Sequence, residues 1–228
     1  CHMTCRDRNL LGLHSALMGA AAQDIQAVLA VTGDPTQPFG GAARSVFEVN
    51  AVGLCRLIAG LNRGVTAYGD DIKVQTDFSI GAAFNSAARS LDTERKRLDK
   101  KTAEGARFVM TQPVFDADHG RRVLEITRDS GLRVFLGFFP LVSLRSALYL
   151  HNEVPGVTIP DDVLDRLKSL DSKEDQRKAG IELTQNLIEQ LLGDMDGVYL
   201  ISPFNKAELL EPMVRQVVAA RETVAAAG

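Results

Sequence analysis

AVLAVTGDP, residues 27–35, carries five apolar residues straight into a threonine, a glycine and a carboxylate. A continuous apolar run of that length is the mark of a strand buried on both faces, as in a parallel sheet covered by helices. The same abrupt change recurs in HMTCRDR (residues 2–8), ARFVMTQ (106–112) and GVYLISPFNK (197–206). Reactive side chains gathered where apolar runs stop are the pattern of a βα barrel, whose working face lies at the C-terminal ends of its strands.

Two further runs, FSIGAAF (78–84) and VFLGFF (134–139), bring the candidate buried strands to six. Helical patterning fills the intervals, at residues 10–22, 46–60, 92–105, 118–130 and 184–192. Strand then helix, repeated, means βαβ units with right-handed crossovers. A TIM (β/α)8 barrel has eight such units in about 250 residues, whereas this chain has 228, and residues 141–180 take up much of them. The expectation is one domain over residues 1–228, an incomplete barrel of about six units that lacks the first two. Such a barrel would leave sheet edges and one flank uncovered, so self-association or membership of a larger polypeptide is expected. The alternative is an open doubly wound sheet, with its ligand crevice where the strand order reverses.

Hydrophobic residues make up 45% and charged residues 24% of the chain, which places it among globular domains. No apolar stretch reaches bilayer-spanning length. Three cysteines without CxxC spacing argue for a reducing compartment, by default the cytoplasm, and against a zinc site. A net charge of -3 offers nucleic acid and anionic membranes no long-range attraction. GxGxxG, GxxxxGK[ST] and HExxH spacings are all absent.

Along the first strand, alternation puts Cys1, Met3 and Cys5 on one face and His2 and Thr4 on the other. Arg6, Asp7 and Arg8 then form either a fork for phosphate or carboxylate or a solvated ion pair. After the second strand, Gly33 permits close backbone approach to a ligand. The following Asp34 could stabilise a developing cation or could close an Asx turn. Gln112 offers an amide that can read a planar ring edge without changing charge, or a structural cap. The basic segment ERKRLDKK (94–101) reads mainly as a salt-bridged solvent face. One edge of it, Arg97, Lys100 and Lys101 at i, i+3 and i+4, could hold a pyrophosphate. Asn205 and Lys206 could meet an anionic tail, with Asn205 also a helix cap. His14, His119 and His151 have no ligand spacing.

HMTCRDRN, AVTGDP, FSIGAAFN, TQPVFD, FLGFFPLVS, LHNEVPGV and YLISPFNKAE occur in the order and spacing of the methylenetetrahydrofolate reductases. The chain resembles that family from His2 to about Val218, most closely the bacterial form fused behind a homocysteine methyltransferase module. The resemblance implies an FAD-containing TIM barrel of one-carbon and methionine metabolism. It would take hydride from NADH or NADPH and deliver it to methylenetetrahydrofolate. It places His2, Thr32, Gly33, Asp34 and Ala82 at the FAD, and Arg97, Lys100 and Lys101 at its phosphate and adenosine portion. It also places Asp34, Gln112 and Lys206 at the folate. Asp34 would stabilise the iminium cation formed when the methylene bridge opens, and Gln112 would hold the planar substrate, which makes these two the catalytic assignments.

The chain departs from the family in three ways. The family's general-acid glutamate on the first strand and its flavin-contacting threonine on the second have no counterpart, so the chain alone is expected to be a poor catalyst. Thr32 stands where many relatives have arginine, which leaves Arg6 or Arg8 to meet the flavin phosphate. Ser146 stands where relatives often place an amide. Two other classes compete: a non-catalytic regulatory or assembly subunit that binds flavin or folate, and a Schiff-base aldolase, which would need a strand-end lysine in place of Lys206.

Overall fold

The structure, a computed structural model, describes residues 1–35, 44–154 and 157–227. Strands and helices alternate from the start: β1 (His2–Thr4), α1 (Leu10–Ala22), β2 (Ala27–Val31), α2 (Ala51–Asn62), β3 (Ser79–Phe84), α3 (Leu91–Ala103), β4 (Phe108–Pro113), α4 (Ala117–Arg128) and β5 (Arg133–Phe138). Three helices follow, α5 (Leu144–Glu153), α6 (Asp161–Lys168) and α7 (Lys173–Leu191), before β6 (Gly197–Leu200) and α8 (Glu211–Ala227). The sheet order is β1-β2-β3-β4-β5-β6. A doubly wound sheet requires a reversal of strand order; among the described residues there is none, and the fold is the TIM-like α/β arrangement expected from the sequence.

The chain divides into two compact units. The first comprises Cys1–Phe84, Thr93–Val109 and Ser130–Arg133. In it β1, β2 and β3 pair in parallel, with His2 opposite Leu29 and Ala30 opposite Ala82. Val28, Leu29 and Ala30 are buried in succession, so β2 is covered on both faces. Leu13 and Leu17, one turn apart on α1, are fully buried, as are Leu54, Ile58 and Leu61 on α2. Each such side chain stabilises the fold by roughly 1.5–3 kcal/mol.

Helix α2 starts at Ala51, five residues later than the apolar pattern from Val46 suggests. Asn50 is the reason: its backbone is extended and its Oδ1 accepts from the N–H groups of Val52 and Gly53 at 3.0 and 3.1 Å.

The second unit comprises Asn85–Asp92, Met110–Asp129 and Val134–Gly228. Within it β5 and β6 pair in parallel from Phe135 opposite Gly197 to Phe138 opposite Leu200. Thr111 Oγ1 donates to the Gln112 carbonyl at 2.8 Å and accepts from Gly137 N–H at 2.9 Å, which fixes the end of β4. Residues 141–180, which the strand runs leave unassigned, form α5, α6 and the first part of α7. Their core is Leu141, Ala147, Ile159, Val163, Leu167 and Ala179.

The helix read at 184–192 is only the last half of α7. Its polar first half starts at Ser172, whose hydroxyl accepts from Asp175 N–H at 3.0 Å. Asn205 does not cap a helix: it lies in the 3-10 turn Pro203–Asn205 with φ of 55°, like Phe204, and the following turn makes no side-chain cap.

Candidate functional site

A cavity of about 790 Å³ lies in the first unit, beside the end of β2. Thr32, Gly33, Glu48, Asn50, Arg56 and Lys100 line it, with Phe47, Val49 and Val52 as its apolar wall.

Local chemistry fixes most of these groups. Thr32 Oγ1 accepts from Ala51 N–H at 3.2 Å. Leu54 N–H closes on the Asn50 carbonyl at 2.9 Å. With the two amides held by the Asn50 side chain, the first four N–H groups of α2 are all engaged. The helix end therefore presents no free donor to an anion. Glu48 Oε2 accepts from Leu10 N–H at 2.6 Å, which ties the loop before α2 to the start of α1.

Gly33 has φ of +85°, and a Cβ there would overlap the Thr4 hydroxyl. The close approach that glycine permits is thus to β1, where Thr4 Oγ1 donates to the Thr32 carbonyl at 3.1 Å. Asp34 is exposed and does not line the cavity. Arg6 forks onto Asp7 at 2.6 and 3.0 Å, so the solvated ion-pair reading of that motif holds. That contact, more than the weaker field of Asp34, raises the already high pKa of the guanidinium further.

The three cations on α3 separate. Lys100 is exposed at the cavity and makes no ion pair or side-chain hydrogen bond among the described residues. Arg97 is exposed and meets Glu94 at 3.0 Å. Lys101 is buried, and its ammonium donates to the Ala83 carbonyl at 2.6 Å. Burial pushes the Lys101 pKa down, while Glu94 opposes that shift. The expected triple-cation edge thus presents one cation to the cavity. Ala82, next to Ala83 on β3, is fully buried, and His2 is exposed on β1.

Arg56, Glu104, Glu48 and Asn50 are participants that the sequence reading did not single out. Arg56 forks onto Glu104 at 3.0 and 2.6 Å, which holds that carboxyl below the usual carboxylate range. Asn50 directly before an apolar helical run was a readable cap signal. The Arg56–Glu104 pair, 48 positions apart, had none.

Gln112 and Lys206 belong to the second unit and are both exposed. The Gln112 backbone carbonyl also accepts from Ser86 Oγ at 3.2 Å, and Lys206 N–H donates to the Pro203 carbonyl at 3.1 Å. Among the described residues there is no metal-ligating cluster of His, Cys, Asp or Glu, and no helix is long and apolar enough to cross a membrane.

Comparison with known proteins gives a consistent result. Methylenetetrahydrofolate reductase 1 of Schizosaccharomyces pombe is 27% identical over 198 residues, 84% of this chain and 31% of that protein. The probable methylenetetrahydrofolate reductase (NADPH) of Caenorhabditis elegans is 26% identical, over 84% of this chain and 28% of its own length. The chain thus spans about a third of the length of these curated relatives. A solved structure from Clostridium thermocellum, described as an uncharacterized protein that binds two copies of 5-methyl-5,6,7,8-tetrahydrofolic acid, superposes with a TM-score of 0.53. It covers 96% of this chain and 69% of its own at 12% identity, which speaks for the fold alone. The family model for methylenetetrahydrofolate reductase matches residues 1–217, and the chain belongs to that family.

Proposed function

We propose that this chain is the FAD-binding barrel of a reductase that converts 5,10-methylenetetrahydrofolate to 5-methyltetrahydrofolate with NADH or NADPH, in cytoplasmic one-carbon and methionine metabolism. The observation that carries the reading is the cavity beside β2, within a family match that spans residues 1–217. Its volume is in the range of small-molecule sites. Its apolar wall and single unengaged ammonium suit a planar group with a phosphate tail.

FAD, when bound, supplies the hydride carrier between nicotinamide and folate. Lys100 pairs with its phosphate, and Arg97, one turn earlier on the same face, adds a second positive charge. Thr32 and Gly33 line the cavity wall, and His2 and Asp34, which do not line it, are assigned to the flavin by the family resemblance. Lys101 acts indirectly, holding the Ala83 carbonyl and with it the backbone at Ala82. Asp34 stabilises the positive charge at the methylene carbon of the opened substrate. Gln112 orients the pterin ring edge through its amide, and Lys206 meets the carboxylates of the folate tail. Nicotinamide and folate then use the site in turn, which predicts ping-pong kinetics.

The test is the visible spectrum of the protein after incubation with FAD and removal of unbound flavin. Retained flavin bands, bleached anaerobically by NADH or NADPH and restored by methylenetetrahydrofolate, are the expected result. A chain that takes up no flavin overturns the reading.

A further inference from the structure

A second cavity, of about 590 Å³, lies wholly within the second unit, where the segment Asn85–Asp92 meets the start of α4 and the connection between α5 and α6. Ser86, Arg89, Phe115, His119, Arg122 and Thr158 are the lining groups that matter. None of them has a role in the proposed reductase site.

Charge around this cavity is unbalanced. Asp116 also lines it, but its Oδ1 accepts from His119 N–H at 2.7 Å as the cap of α4. Nearby Asp118 is matched by Arg121 at 3.1 Å. Arg89 and Arg122 stand on separate elements, and neither forms an ion pair or a side-chain hydrogen bond among the described residues. Two guanidinium groups thus face one carboxylate that is already half engaged.

His119 contributes a fixed orientation. Its Nε2 lies 2.8 Å from the Ser86 carbonyl oxygen. A carbonyl oxygen only accepts, so Nε2 carries the hydrogen and the ring is held by β3–α3 connection backbone. Phe115, Val157, Pro113 and Pro160 give the cavity an apolar wall.

We propose that this cavity binds a phosphomonoester with a planar or apolar body, of mononucleotide size or smaller. Arg89 and Arg122 grip the phosphate as two forks, and the body lies against Phe115. Guanidinium groups meet phosphate through paired hydrogen bonds of fixed geometry, which a single surface lysine cannot reproduce. The volume is within the range of small-molecule sites. Nucleic acid is a poor occupant, because a chain of net charge -3 gives it no broad basic surface.

Titration calorimetry on the full chain with phenyl phosphate, inorganic phosphate and phenol tests the proposal. Phenyl phosphate saturates one site, inorganic phosphate competes with it more weakly, and phenol does not compete. Arg89→Gln and Arg122→Gln each weaken phenyl phosphate roughly tenfold or more, the effect of losing one charge-assisted contact, and the double variant abolishes binding. Urea midpoints stay unchanged, because both side chains are exposed. Lys100→Gln leaves phenyl phosphate binding intact. The proposal is overturned by wild-type chain that shows no saturable binding, by equal affinity in the double variant, or by loss of binding only in Lys100→Gln, which would put the ligand in the cavity beside β2. Flavin retention is read separately by absorbance, so failure here and failure of the reductase reading are distinguishable.

Discussion

Beside β2, Arg56 is forked onto Glu104, Lys101 is bonded to the Ala83 carbonyl and the first four amides of α2 are all engaged. Beside α4, by contrast, Arg89 and Arg122 stand without partners among the described residues. The first cavity owes its shape to polar groups that serve the fold, and among its described lining residues one cation, Lys100, is left for a ligand. In the second cavity the fold uses the acidic groups and leaves the cations. Whether a charged residue near a strand end is available to a ligand thus depends first on whether the fold has already engaged it.

Glycine positions should give the largest effects, and they differ between the units. In the second unit, a Cβ at Gly180 would overlap the Leu141 carbonyl oxygen, a backbone atom that cannot rotate away. Gly180→Ala should cost about 3 kcal/mol or more, seen as a large fall in the urea midpoint or failure to fold. In the first unit, Gly33→Ala meets the hydroxyl of Thr4, which can turn aside only by giving up its bond to the Thr32 carbonyl, so that loss and the positive φ together should cost about 1–3 kcal/mol. Equal midpoints for Gly33→Ala and wild type would contradict the close approach of β2 to β1.

Lys101→Met is the next largest. It removes the ammonium from the Ala83 carbonyl and leaves buried Glu94 with Arg97 as its cationic partner, a loss of roughly 1–3 kcal/mol. The pH dependence has a definite sign. Because the folded pKa of Lys101 is lowered, the unfolded chain binds more protons in the window between that value and the ordinary lysine value of 10.5. Wild-type stability should therefore gain a contribution as pH rises through that window, which is lost as pH falls through the folded value. Lys101→Met should lack this contribution in denaturation curves measured from neutral pH upward.

Thiol chemistry gives a smaller, kinetic contrast. Burial pushes Cys5 and Cys55 up to about 11, so neither should react in the folded chain at pH 8. Exposed Cys1 alone should label quickly with a disulfide reagent, the other two only after denaturant is added. Rapid labelling of all three would mean that the core behind the first cavity is open. Smallest is Glu104→Gln: its pair with Arg56 is largely solvent-screened, so the variant should lose little stability at neutral pH. The difference from wild type should vanish as pH falls through the lowered pKa of Glu104.

The strands were legible because each is a continuous apolar run, and the helix at Leu10–Ala22 matches its pattern at both ends. Helix starts were less so: Val46 belongs by periodicity to α2, but the side chain of Asn50 bonds the backbone and delays the helix. Polar helix halves, such as the start of α7, carry no apolar signal and depend on packing that only the fold supplies. For the site, the end of an apolar run pointed to Thr32 and Gly33, and helical spacing pointed to Lys100 together with Arg97 and Lys101, which do not line the cavity. The sequence could not tell that Lys101, one position on, points to a buried carbonyl, because a helix turns by 100° per residue and the direction of the sheet is a tertiary fact. Nor could it pair Arg56 with Glu104 across 48 positions.

If the cavity beside β2 holds the flavin, then Lys100, not Lys101, is its cation. FAD titrated into wild type and Lys100→Gln, followed by quenching of flavin fluorescence, tests it most directly. Affinity should be weakened roughly tenfold or more in Lys100→Gln, with an unchanged urea midpoint. Equal FAD affinity in the two proteins would contradict it.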